Sequence, residues 1–285
     1  MKFVNDLLDN LLDLAILEDV GSGDHTTLAC IPTGTKGFAR VVAKQEGVIA
    51  GIAIIPRVYE KFNKDFKLNF SINDGERVKV GQEIFSVEWD IQHILSSERI
   101  VLNILQRMSG IATNTNEYVK KLNGLKTKIL DTRKTTAGNR VIEKLAVHIG
   151  GGSNHRMGLY DAFMIKDNHI DFCGGIQLAI QLVKQYSAAN GIDNKIIVEA
   201  SSLADVQEIM AIGGIDRVLL DNMDLSMTKK AVQLINNRFD TESSGMINLS
   251  NVREYAECGV DYISIGSLTH QISSLDLSMK AIINK

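Results

Sequence analysis

The 285-residue sequence predicts an α/β protein: a smaller N-terminal domain of helix and short strands, then a (β/α) barrel. Three observations predict it. From Lys126 onward, apolar strand-like runs alternate with amphipathic helical stretches, as βαβ units and a parallel sheet require. Six such repeats follow one another up to "YISI", and the whole chain holds only two prolines to interrupt them. Before Lys126 the texture differs, with one helical run and then short strands separated by turn residues. The repeats suit a barrel, closed or with fewer than eight strands; an open doubly wound sheet is the alternative. No G-x-G-x-x-G follows the first strand of the series, so the dinucleotide-binding form of that alternative lacks its fingerprint.

Val4, Leu7, Leu8, Leu11, Leu12 and Ala15 recur at helical spacing and predict an amphipathic helix over residues 3–17, ended by Gly21 and Gly23. Strands follow in "GFARVVAKQEGVIAG", "FKLNFSI" and "NDGERVKVGQEIFSVEW", with Asn73-Asp74-Gly75 as a turn. The hairpin "DGERVKVGQ" also occurs in lipoyl and biotinyl carrier domains. No hairpin tip bearing a lysine for modification accompanies it, so it reads as a structural β module. Ser96-Ser97-Glu98 predicts the cap of a long helix whose apolar stripe is Val101, Ile104, Leu105, Met108, Ile111 and Ala112. Arg99 lies off that stripe, where position alone makes it a solvated surface charge. Beyond Lys126 the strands are "KIL", "AFMI", "KIIV", "RVLL", a short one near Phe239, and "YISI". Helices are expected between them near 140–147, 176–186, 204–211, 226–236 and 251–258.

Charge is unevenly spread. The net charge of −3 gives no reason to expect nucleic acid or a membrane surface as partner. Between Lys126 and His169, however, eight Lys/Arg face four Asp/Glu, and three of the six histidines fall there. A basic cluster inside an acidic chain suggests a small anionic ligand. The three cysteines form no C-x-x-C pair, and the acidic, amphipathic N-terminus is unlike a signal peptide, so a cytoplasmic location is expected. The most apolar window, "VIAGIAII", is too short to span a bilayer.

The residues after each apolar run are sorted. Asp131, Arg133 and Lys134 follow the first, and Lys166-Asp167-Asn168-His169 the second. Glu199 follows the third, Asp221-Asn222 the fourth, Ser244-Gly245 the fifth and Gly266-Ser267 the sixth. In parallel α/β proteins these strand ends share one ligand-binding face. Arg133, Lys134 and Lys166, with His155 and Arg156 from "GGGSNHRMG", offer fixed donors for an anion. At an effective dielectric near 20, each close pair with an anion is worth roughly 4 kcal/mol before desolvation. Glu199 and Asp221 are carboxylates suited to Mg²⁺ shared with a substrate phosphate. The final Gly/Ser pairs suit a phosphate held by backbone N–H groups. A Schiff-base lysine at Lys134 or Lys166, as in an aldolase-like barrel, is the competing enzymatic reading.

"SSERIVLNILQRMSGIAT", "DTRKTTAGNR", "GGGSNHRMGLYDAFMIKDNHI", "VLLDNM" and "GVDYISIGSLTH" resemble motifs of the quinolinate phosphoribosyltransferase family, decarboxylating enzymes of NAD synthesis. The resemblance runs over nearly the whole chain. It implies an incomplete (β/α) barrel with an N-terminal α/β sandwich-like domain, and homodimers whose subunits complete each other's sites. The expected division is a first domain over 1–110, joined by a C-terminal helix over 272–285, and a barrel over 111–271. The implied substrates are quinolinate and phosphoribosyl pyrophosphate, with Mg²⁺ as cofactor. Arg99, Arg133, His155, Arg156 and Lys166 would line the dicarboxylate pocket, Arg99 entering from the neighbouring subunit, which reverses its surface reading. Lys134, Glu199 and Asp221 would be catalytic, the two carboxylates also serving the metal directly or through water or pyrophosphate. Ser244, Gly245 and Gly266 would hold the 5′-phosphate. Three positions depart from the family's usual pattern: Met246 replaces a second glycine, Ala137 a proline and Ser153 a histidine. A phosphoribosyltransferase of altered specificity, like relatives found beside molybdate transport genes, is disfavoured by Arg99, Arg156 and Lys166 all being present. A non-catalytic sensor of anionic metabolites is disfavoured by the intact carboxylate pair and glycine loops.

Overall fold

The computed structural model describes residues 2–282. The chain begins with α1 (Lys2–Val20), α2 (His25–Cys30), β1 (Lys36–Ala43), β2 (Gly47–Val48) and α3 (Ile55–Glu60). Then come β3 (Lys67–Phe70), β4 (Arg77–Val78), β5 (Glu83–Asp90) and the long α4 (Ile91–Lys121). The alternating part follows as β6 (Lys128–Leu130), α5 (Arg140–Ile149), β7 (Phe163–Ile165), α6 (Asp167–Cys173), α7 (Ile176–Asn190), β8 (Ile196–Ala200) and α8 (Leu203–Ile212). It closes with β9 (Arg217–Asp221), α9 (Leu225–Ile235), β10 (Asp240–Ser244), α10 (Val252–Glu257), β11 (Tyr262–Ser264), α11 (Ser267–His270) and β12 (Leu277–Ile282). No helix among the described residues is long and apolar enough to cross a membrane.

Two compact units result. Among the described residues the first runs to Asn116 and takes in Thr135–Gly151 and everything from Leu268. Its antiparallel sheet has the order β12-β1-β5-β3. Under it Trp89, Tyr59 and Phe85 are fully buried, with the Tyr59 and Trp89 rings 4.9 Å apart. Three expectations are corrected here. The segment expected as a helix over 272–285 contains a strand: β12 pairs with β1 through Ala43↔Leu277 and Val41↔Met279, and residues 283–285 lie outside the described ones. Pairing satisfies a row of β1 backbone groups that would otherwise form a bare edge. The long helix starts at Ile91 rather than at Ser96. Asp90 accepts the Gln92 N–H at 2.8 Å, while Ser97 sits inside the helix and donates back to the His93 carbonyl at 2.7 Å. Finally α5, expected among the barrel helices, belongs to this first unit. Its Glu143 is fully buried on Arg107, which also donates to Thr136 Oγ1 at 3.0 Å and Thr269 O at 2.9 Å.

The second unit, Glu117–Lys134 and Gly152–Ser267, holds six parallel strands in the order β6-β11-β10-β9-β8-β7. The barrel does not close: β6 and β7 are the two edges of the sheet, and on its outer side β6 meets an isolated bridge from Ser153 to Leu130. "GGGSNHRMG" has no apolar run from which a further full strand could be built. Ile129, Val198, Val218 and Ile263 form the sheet's buried core. The registers set the functional row. Asp221 is level with Ser244, and Glu199 with Leu219, so the polar strand ends expected from the sequence sit on adjacent strands.

Candidate active site

The basic side is built by two loops. Arg133 and Lys134 follow β6 and are exposed; the Lys134 N–H donates to Thr132 Oγ1 at 3.0 Å. Asp131 anchors the loop that follows. It is fully buried, accepting Asn154 Nδ2 and the His155 N–H at 2.7 Å each, and so ties the strand β6 exit to residues 154–155. Arg156 is half-buried and donates to the Ala162 carbonyl at 3.1 Å. Burial, and then the charge of Arg133, hold its guanidinium below the ordinary range. The two arginines therefore feel each other, the state expected of a site prepared for an anion. His155, expected among the donors to the dicarboxylate, lies behind the loop surface. Its side chain is only 6% exposed, with Nε2 3.3 Å from Glu242 Oε2.

Lys166 links the basic and acidic sides. It follows β7 as the N-cap of α6, with its Nζ 3.3 Å from Glu199 Oε2, and the Asp167 N–H reaches Glu199 Oε1 at 3.4 Å. Glu199 is buried at 7% exposure on β8. The lysine side chain is 47% exposed, so solvent screens the pair and an arriving anion can compete for the ammonium. Asp221 ends β9, accepting Ser244 Oγ at 2.5 Å and Asn222 Nδ2 at 2.7 Å.

The phosphate-type loop starts at Ser244. Gly245 has φ +91°, and a Cβ there would collide with the Asn222 carboxamide, lying 2.6 Å from its Cγ. Only glycine fits. Met246 follows, also left-handed at φ 53°, and is 84% exposed. The position where the family's pattern has a second glycine thus keeps the glycine conformation with a side chain on it. Gly266 sits between β11 and α11, beside Ser267, whose Oγ lies 3.4 Å from the Tyr118 hydroxyl. Arg99 belongs to the first unit, where it is exposed on α4.

Sequence reasoning missed Glu242 and Arg217. Glu242 is fully buried, with Arg217 Nη1 donating to its Oε2 at 2.8 Å and the Arg217 guanidinium 3.8 Å from the Tyr262 ring centroid. Burial pushes the Glu242 carboxyl upward, but the neighbouring His155 ring and the Arg217 guanidinium outweigh it and leave it below the usual carboxylate range. A signal was present: "DTESSG" puts polar side chains at every position of a strand that should bury one face.

An open (β/α) sheet with cations after its early strands, carboxylates on its middle ones and glycine loops on its last defines an anion- and phosphate-binding enzyme of the barrel class. The chain belongs to the quinolinate phosphoribosyltransferase family: its C-terminal domain model matches residues 111–280 and its N-terminal domain model residues 24–109. A mitochondrial quinolinate phosphoribosyltransferase [decarboxylating] 2a of Nicotiana tabacum is 42% identical, the match covering 96% of this chain and 82% of the tobacco protein. A probable nicotinate-nucleotide pyrophosphorylase [carboxylating] of Bacillus subtilis is 41% identical over 95% of this chain and 92% of its own. Among solved structures, NadC from Streptococcus pyogenes superposes with a TM-score of 0.89 at 39% identity, covering 96% of this chain and 95% of that one. The nicotinate-nucleotide pyrophosphorylase of Francisella tularensis reaches 0.91 at 33% identity, covering 98% and 97%.

Proposed function

We infer that this protein joins the ring nitrogen of quinolinate to the ribose of phosphoribosyl pyrophosphate, giving nicotinate mononucleotide, pyrophosphate and CO₂ in NAD biosynthesis. The observation that carries the reading is the match to both family domains in a chain whose sorted strand ends supply each group the reaction needs. Arg133, Arg156 and Lys166 receive the two carboxylates, with Arg99 of a second subunit completing the pocket in a homodimer. Ser244, Gly245 and Gly266 take the 5′-phosphate, and Asp221 and Glu199 face the ribose and pyrophosphate. Lys134 neutralises the departing pyrophosphate. Attack by the pyridine nitrogen leaves it quaternised, and that positive charge stabilises the carbanion left when CO₂ departs, which takes up a proton from water to give the product. Binding and orientation supply most of the rate, and no nucleophilic side chain is used.

The residues fit Mg²⁺ carried in on the substrate. Among the described residues no group of three or more His, Cys, Asp or Glu side chains forms a cage. Mg²⁺ favours one or two carboxylates plus phosphate oxygens, and Glu199 and Asp221 would hold it directly or through water. When bound it would neutralise pyrophosphate charge. The aldolase-like alternative is weakened by the carboxylate 3.3 Å from Lys166. The three free cysteines support a reducing, cytoplasmic location. The test is direct: purified protein with quinolinate, phosphoribosyl pyrophosphate and Mg²⁺ should release CO₂, and absence of release refutes the assignment.

A further inference from the structure

We propose that Glu242, backed by Arg217, is a positioning residue that fixes the ring of His155 and, through it, the carboxylate-binding Arg156. The proposal rests on the quinolinate reading of the site. On β10, Glu242 shares a face with Ser244, one step deeper into the barrel. Barrel interiors are ordinarily filled by branched apolar side chains. Here the layer holds a carboxylate and a guanidinium, both buried. A buried ion pair is seldom more stable than the apolar residues that might replace it. Among the described residues Glu242 Oε1 is moreover buried without a hydrogen-bond partner, so only Oε2 is met by a donor. Stability does not explain such an arrangement.

The reason lies at Oε2. That oxygen accepts Arg217 Nη1 at 2.8 Å and lies 3.3 Å from His155 Nε2. On the far side of the same ring, Nδ1 accepts the Arg156 backbone N–H at 2.7 Å. A nitrogen that accepts cannot carry a proton, so the neutral imidazole bears its proton on Nε2, facing Glu242. Nδ1 is held by a hydrogen bond, while Nε2 faces the carboxylate at 3.3 Å as an electrostatic contact rather than a formed hydrogen bond, and rotating the ring would lose that contact and release the backbone of Arg156. Asp131 grips the His155 N–H and Ala162 O grips the Arg156 guanidinium, so Glu242 completes the clamp on this two-residue segment. His155 then serves the pocket from behind rather than as a direct donor to the diacid.

The experiment compares full-length wild type, Glu242→Gln and the double variant Arg217→Met/Glu242→Gln, which removes both buried charges where the single variant fails to fold. KM values are measured for quinolinate and for phosphoribosyl pyrophosphate, and the His155 tautomer is read by long-range ¹H–¹⁵N NMR. In a folded variant the quinolinate KM should rise about tenfold or more, with less than about a twofold change for phosphoribosyl pyrophosphate. The wild-type ring should show its proton on Nε2, a signature lost in the variants. An unchanged quinolinate KM, an equal rise in both KM values, or a wild-type proton on Nδ1 would overturn the proposal. The wild-type spectrum decides even where neither variant folds. Failure of wild type to turn over quinolinate is a different result: it removes the assigned reaction and leaves the tautomer to decide what Glu242 does to His155.

Discussion

Replacing Gly245 with alanine tests the phosphate loop most sharply. Two costs follow. Gly245 has φ +91°, where a residue with a Cβ loses about 1–2 kcal/mol relative to glycine. The new Cβ would also displace the Asn222 carboxamide, which donates to Asp221 Oδ2 at 2.7 Å. A hydrogen bond to a charged group is worth about 1.5–3 kcal/mol, and the exposure of this one puts it at the lower end. The total is about 3 kcal/mol, which at ~2–4 °C per kcal/mol for a chain of this size lowers Tm by roughly 6–12 °C. Gly124→Ala is the control: φ is +85°, but nothing lies within 4 Å of its Cβ, so only the backbone cost applies. Calorimetric melting of both variants isolates the collision, and steady-state kinetics should show the KM for phosphoribosyl pyrophosphate rising in Gly245→Ala alone. Equal Tm losses in the two variants, with that KM unchanged, would refute the reasoning by showing that Asn222 swings aside without cost.

Lys134→Ala, at an exposed position, should cut kcat by about 10²-fold or more while Tm moves by no more than ~2 °C; comparable losses in both would give Lys134 a structural role instead. Met246→Gly removes a side chain from φ 53°, so melting should show a rise of roughly 1–3 °C after the extra unfolded-state entropy of glycine is subtracted. Burial raises the Asp261 carboxyl, but the Thr241 N–H and hydroxyl and Lys126 outweigh it and leave it below its ordinary value. Its stabilisation is therefore present above the unfolded-state value of about 3.9 and lost as pH falls through the lower folded value. Asp261→Asn should flatten acid unfolding curves in that window, and a curve parallel to wild type would count against it. Excess EDTA should abolish turnover; undiminished rates would remove Mg²⁺ from the mechanism.

Much of this architecture was legible because its elements obey simple periods. "IIV" and "RVLL" lie in strands buried on both faces, and the charged residue ending each run marks the strand ends that carry the candidate site. What the sequence hid was set by long-range pairing. "LSMKAI" is too short for its period to decide, and the free edge of β1 makes it a strand. Helix α5 carries an amphipathic pattern that names no partner; Arg107, 36 positions earlier, decides where its Glu143 is buried. For His155 the sequence offered Arg156 beside it and the family motif, and nothing in either names Glu242, which lies 3.3 Å from its Nε2 across the sheet. Local pattern carries the elements, and chemistry between distant positions carries the clamp.

The path of the chain between its two units restricts how it can be divided. Thr135–Gly151 and residues 268–282 belong with the N-terminal portion, although both follow the start of the second unit in sequence. No single scissile point yields two self-sufficient fragments. A piece beginning at Glu117 would carry the Glu143 carboxylate without Arg107 and β12 without the β1 backbone it pairs with. Truncation libraries should therefore lack soluble half-length survivors, and a functional split of this protein would need complementary pieces that exchange α5 and β12 on reassembly.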